Sequence, residues 1–170
     1  MDTASPDFLH LSVDAAEQLC LKALRGLGYD AADAKIISDH VIEASLCGYD
    51  YSGPAKILNI ADDPRFKKPR QSVKVIRETP VSVLLDGGNN VGMLAVYRGV
   101  EAAIAKAKIS GVCIAGVANS WMSGRIAHYT EMIARAGLIG VQVESTKGTS
   151  VAPPGGVTGT LGTNPISFGF

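Results

Sequence analysis

The stretch 81-VSVLLDGGNNVGMLAVYRGVEAAIAKAKISGVCIAGV-117 decides the fold. It opens on Val81 to Leu85, a run rich in β-formers, and 86-DGGNNVG-92 then predicts a turn. Met93, Val96, Val100, Ile104 and Ala107 recur at helical spacing up to about Ile109, and Gly111 supplies a stop. Val112 to Val117 is a short apolar strand. Downstream, 118-ANSWMSG-124 reads as a polar loop. A helix over about Arg125 to Ala136 follows, with Ile126, Tyr129 and Ile133 facing in, and after Gly137 a strand over Leu138 to Val143. Alternating strands and helices predict an α/β layer with at least partly parallel pairing.

Upstream of this layer the pattern is helical. Ser12 predicts an N-cap for a helix over about Val13 to Leu24, with Leu19, Ala23 and Leu27 on its apolar face. Asp30 predicts a second cap, for a helix carrying Ile37, Val41 and Ala44 and stopped by Gly48. Lys56 to Ala61 reads as a third short helix. The charged, proline-punctuated 62-DDPRFKKPR-70 separates a helical part, residues 1–70, from an α/β part, residues 71–170.

Composition excludes several classes. Apolar residues make up 46% of the chain, enough to build a core. The 16 basic and 16 acidic residues cancel, which argues against nucleic-acid or membrane-surface binding, since both call for excess positive charge. No apolar run is long enough to span a bilayer, and Met1 to His10 has no basic start to a signal peptide. Cys20, Cys47 and Cys113 are odd in number and far apart, which suits a reducing cytoplasm; Cys113 reads as a small buried residue. His10, His40 and His128 are too scattered to form a metal site.

Three loops fall at the ends of the strands, where α/β layers bind ligands: 86–92, 118–124 and 144-ESTKGTSVAPPGG-156. The first lacks a nucleotide-binding glycine signature, and a tight turn explains it equally well. In the second, Ser123 and Gly124 precede a helix, an arrangement that favours an anion, with Arg125 adding positive charge; a plain N-cap by Ser123 is the simpler alternative. The stretch 151-VAPPGGVTGTLGTNPISFGF-170 mixes stiff prolines with permissive glycines, which suits either a shaped ligand loop or a mere connection. Ile166 to Phe170 reads as the start of a strand.

Several of these stretches resemble the malate/L-lactate dehydrogenase family of NAD(P)-dependent oxidoreductases, which is distinct from the Rossmann dehydrogenases. The resemblance rests on 83-VLLDGGNNVG-92, 95-AVYRGVEAAIAKAKISGVCIAGVANS-120, 134-ARAGLIG-140, 151-VAPPGG-156 and 161-LGTNPISF-168. It implies a helical N-terminal part followed by part of a nicotinamide-binding α/β domain, an NAD or NADP cofactor, a small 2-oxo or 2-hydroxy acid as substrate, and a homodimer.

The family's catalytic motif corresponds to 43-EASLCGYDYSGPAK-56, where Tyr51 replaces a serine, Ser52 the proton-donating histidine and Lys56 the carboxylate-binding arginine. The resemblance thus implies Tyr51 and Ser52 at the proton-transfer positions, with Tyr49 the next candidate, and Lys56 and Thr163 at the substrate. Met122, Ser123, Gly124, Arg125 and Ile126 match a loop that lines the cofactor, and Ser145 and Thr146 lie near another cofactor contact. Met122 stands where the family has histidine. Serine is a poor general acid near neutral pH, so these departures leave two readings open: altered substrate chemistry, or a pseudoenzyme that serves as a binding module. Family members are considerably longer, and their second half supplies further cofactor contacts and a catalytic aspartate. The expectation is therefore a truncated chain, inactive by itself, or one completed by another chain.

Overall fold

The computed structural model describes residues 10–146 and 148–170. Most of the segment read above for a signal peptide lies outside the described residues. The chain forms two compact units, divided in sequence between Lys67 and Lys68.

The first unit holds α1 (Val13–Gly26), α2 (Ala31–Leu46), a 3₁₀ turn (Asp50–Ser52) and α3 (Lys56–Asp62). Both predicted caps form. The Ala15 N–H donates to Ser12 Oγ at 3.2 Å, and the Asp33 N–H to Asp30 Oδ1 at 2.8 Å. Each satisfies one orphan donor of a first helical turn. The α2 face is as read: Ile37, Val41 and Ala44 are buried. The α1 face is not. Leu19 is 58% exposed, while Cys20 and Leu24 are buried. Leu19–Ala23–Leu27 and Cys20–Leu24 share the same i, i+4 spacing on adjacent stripes. Packing against α2, where the Cys20 thiol meets Ser38, selects the second stripe.

The second unit holds β1 (Lys74–Thr79), β2 (Ser82–Val91), α4 (Gly92–Ser110), β3 (Ile114–Trp121), α5 (Ala127–Arg135), β4 (Gly140–Val143) and β5 (Ile166–Gly169). β1 pairs antiparallel with β2, and β2 pairs parallel with β3. α4 is the crossover between the parallel strands. It closes down on β3 at Gly99, where an added Cβ would lie 2.7 Å from Val117 Cγ2. Gly111 ends α4 in the left-handed conformation, at φ 79°. Val83, Leu85, Val91, Met93, Leu94 and Val100 make the core.

Two expected loops are partly strand. β2 runs through 86-DGGNN-90 to Val91, and β3 runs to Trp121. Pairing breaks between Asp86 and Asn90, then resumes with Asn90 opposite Ser120 and Val91 opposite Trp121. The turn-forming residues build this bulge. Gly88, Asn89 and Asn119 all have positive φ. Asp86 Oδ1 accepts from the Gly88 N–H and from Asn119 Nδ2, each at 2.8 Å. The Gln71 carbonyl approaches so closely that a Cβ on Gly88 would lie 2.2 Å from it. Cys113, expected to be buried, is half-buried.

β4 and β5 form a second, antiparallel sheet, with Val143 opposite Ile166 and Val141 opposite Phe168. Ser167 turns toward α5, and its hydroxyl bonds Thr130 Oγ1 at 2.8 Å. Between these strands the proline-glycine stretch folds back on itself. Val151 bridges Leu161, and the Thr146 N–H donates to Asn164 Oδ1 at 2.9 Å. Gly159 allows this close return, since a Cβ there would lie 2.2 Å from the Thr149 carbonyl. Among the described residues, no helix is long and apolar enough to cross a membrane.

Candidate functional site

In the first unit the candidate residues sit on the turn between α2 and α3. Gly48, at φ 79°, ends α2, and the chain tightens into the 3₁₀ turn. The Ser52 N–H donates to the Tyr49 carbonyl at 2.9 Å, and the Gly53 N–H to the Asp50 carbonyl at 3.0 Å. Position 53 packs closely on α2; a Cβ there would lie 2.1 Å from Ser45 Oγ. The turn separates the two proton-transfer candidates. Tyr51 is 72% exposed, whereas Ser52 is 1% exposed. The Tyr49 and Tyr51 rings lie tilted with centroids 6.1 Å apart. Lys56 Nζ stands over the Tyr51 ring, 5.8 Å from its centroid. The motif therefore presents a phenol, a cation and a second phenol on one short surface.

In the second unit the candidates gather at the carboxyl ends of β3 and β4. Met122 and Gly124 both adopt left-handed backbone, with φ 56° and 76°. Ser123, between them, is held from three sides. Its hydroxyl donates to Glu144 Oε2. Its carbonyl accepts the Tyr129 hydroxyl at 2.6 Å. Gly92 backs onto it, so that a Cβ on Gly92 would lie 2.7 Å from Ser123 Cα. Ser123 is thus not the N-cap of α5, the simpler alternative considered above. Ile126 takes that position and makes no side-chain cap.

Arg125 is buried, and both its terminal nitrogens donate to Glu131 Oε1, at 2.8 and 2.7 Å. Its charge is compensated within the protein. Glu144 also accepts Gln142 Nε2 at 2.8 Å, and its own N–H reaches the Pro165 carbonyl at 3.2 Å. Residues 122–125, 144–146 and 163–165 are thereby tied into one network, with Thr146 and Thr163 exposed. Burial pushes the Glu144 carboxyl above the usual carboxylate range, against the hydrogen bonds from Ser123 and Gln142. Burial, reinforced by the Glu144 charge, lifts the Tyr129 phenol well above the usual tyrosine value.

Sequence reasoning placed Tyr129 in the core but missed Glu144. The available signal was a carboxylate closing the apolar run 138-LIGVQV-143 just before a hydroxyl-rich loop. No group of three metal-ligating side chains comes together among the described residues. His40 and His128 are buried on α2 and α5.

The donor set tests whether a dinucleotide suits the second unit. Ser145, Thr146, Thr149, Ser150 and Thr163 offer exposed hydroxyls around the folded-back loop. Neutral donors and acceptors of this kind fit the carboxamide and ribose hydroxyls of a nicotinamide nucleoside. Arg125, bound to Glu131, is not presented to a pyrophosphate.

The malate/L-lactate dehydrogenase family model matches residues 11–170. The malate dehydrogenase of Pyrococcus abyssi is 34% identical over 166 residues, covering 95% of this chain and 45% of the relative. The malate/(S)-sulfolactate dehydrogenase of Methanothermus fervidus is 31% identical, covering 93% of this chain and 47% of the relative. The solved malate dehydrogenase of Pyrococcus horikoshii superposes with a TM-score of 0.83 at 30% identity, covering 99% of this chain and 49% of that one. The chain spans about half the length of the curated relatives it matches.

Proposed function

The chain belongs to the malate/L-lactate dehydrogenase family, and on that premise we propose that it serves an NAD(P)-dependent oxidoreductase interconverting a small 2-hydroxy acid and its 2-oxo acid. The observation that carries this reading is the network in which Ser123 and Glu144 join the loops after β3 and β4. It gives a preorganised wall of hydrogen-bonding groups where an α/β layer accepts ligands.

A bound nicotinamide supplies the hydride. The protein must supply three other things: a cation for the substrate carboxylate, a proton for the developing alkoxide, and orientation. Lys56 provides the cation as a point charge rather than a two-pronged fork. Tyr51, exposed beside it, is the proton-transfer group of this reading. Ser52, buried next to it, holds the turn through its N–H and occupies the second proton-transfer position. Thr163 orients the substrate, and Met122 to Ile126 with Thr146 line the nicotinamide and ribose. A homodimer in the cytoplasm completes the reading; Cys20, Cys47 and Cys113, odd in number and far apart in the chain, suit that compartment.

A second reading, a pseudoenzyme acting as a binding module, draws support from the burial of Ser52 at the position of the family's proton donor. Titration with NADH and NADPH, followed by nicotinamide fluorescence, tests the first reading. Saturable binding of one or both is expected, and a folded, full-length version that binds neither would sink it. Turnover of malate, lactate or sulfolactate by a cofactor-binding preparation then separates enzyme from binding module.

A further inference from the structure

We propose that Glu144 is a positioning residue, whose carboxylate holds the Met122–Ser123–Gly124 turn in the shape it presents to the cofactor. The cofactor part of this statement rests on the oxidoreductase reading above; the positioning part rests on geometry alone.

The turn is not a shape this sequence adopts unaided. Met122 has a β-carbon and an unbranched side chain that offers no local hydrogen bond, yet it stands at φ 56°. A left-handed non-glycine residue costs about 1–2 kcal/mol and persists only where its surroundings over-determine it. Three of the surrounding restraints belong to the scaffold. Gly92 presses on Ser123 Cα, Tyr129 takes the Ser123 carbonyl, and the Trp121 Nε1–H donates to the Asn89 carbonyl at 3.0 Å. The fourth comes from another loop: Glu144 accepts the Ser123 hydroxyl.

Glu144 is a costly choice for packing. Its hydrogen-bond partners, Ser123 and Gln142, are both neutral, and burial disfavours its charged form. What a carboxylate offers here is two acceptor oxygens at once, one for Ser123 Oγ and one for Gln142 Nε2. Its main chain also meets the Pro165 carbonyl, so a single residue joins the turn after β3 to both ends of the folded-back loop. The other titratable group set against it is the Tyr129 phenol on α5.

Trp121 is the sole tryptophan, sits next to the turn and is buried, so its fluorescence reports on this site alone. The experiment compares wild type, Glu144→Leu and Glu144→Gln by acrylamide quenching of Trp121 and by NADH titration, at a temperature where all three are folded. Leucine removes the acceptor. Glutamine keeps one for Ser123. Glu144→Leu is expected to raise Trp121 quenching about twofold and to weaken NADH binding about tenfold, with Glu144→Gln restoring most of both. Unchanged quenching in Glu144→Leu overturns the proposal, as does a glutamine variant no better than leucine. If a full-length wild type binds no NADH, the oxidoreductase reading falls, and the quenching series still decides whether Glu144 positions the turn.

Discussion

The turn at 49–53 and the turn at 121–125 are both tight, and both carry residues matched to a family motif, yet they are built in opposite ways. The first is closed by its own main chain over Gly53 and leaves Tyr49 and Tyr51 in solvent. The second is pinned by the Asn89 carbonyl of β2, the Tyr129 hydroxyl of α5 and the Glu144 carboxyl at the end of β4, and its aromatic partners Trp121 and Tyr129 are buried. The difference separates two kinds of work. A site that must meet a varied substrate can keep its chemistry on exposed side chains, where substitution is cheap in folding free energy. A surface that must hold a fixed shape needs neighbours that over-determine it.

The largest expected effect tests this contrast directly. Tyr129→Ala removes a fully buried ring and the hydroxyl on Ser123, and should destabilise by about 3–5 kcal/mol in urea unfolding. Tyr51→Ala should stay within about 0.5 kcal/mol. Equal losses would erase the distinction. Next in size, Lys56→Gln should raise the KM for a carboxylate substrate about ten- to a hundredfold while leaving the unfolding midpoint unchanged. A fall in stability instead of affinity would make Lys56 a structural residue.

The smallest effect lies in pH. Burial raises the folded-state pKa of Glu144 above its unfolded value, so its contribution is fully present below the ordinary glutamate range and is lost as pH rises through the raised value. The stability of wild type relative to Glu144→Gln should therefore fall as pH climbs from the ordinary carboxylate range toward neutrality. Asp86 runs the other way. The Gly88 N–H, then Asn119, hold its carboxyl below the usual range, so its contribution is present above that range and is lost as pH falls through the depressed value. Asp86→Asn should flatten the acid limb of the unfolding curve, and an unchanged limb would remove Asp86 from the bulge's support.

Local signals were legible wherever one residue acts on its own neighbours. Ser12 and Asp30 cap helices because their side chains reach a donor three residues on. Gly111 stops α4 because a left-handed residue is needed there. Where a residue's role depends on a partner far along the chain, the same letters misled. The run 86-DGGNN-90 has the composition of a turn, and it became a bulged strand because Asn119 and Gln71 supply partners that a turn would not have. Leu19 looked like core, but α2 packs on the stripe beside it.

The sequence by itself determined the order of helices and strands apart from β1, the α/β class and the family, since periodicity, caps and motifs are short-range patterns along the chain. Only the tertiary structure decided that Ser123 is a clamp rather than a cap, that Arg125 is neutralised by Glu131, and that Glu144 joins two loops. Glu144 lies 21 residues from Ser123. No local pattern encodes that separation, because the contact exists only once β3 and β4 have placed their carboxyl ends side by side.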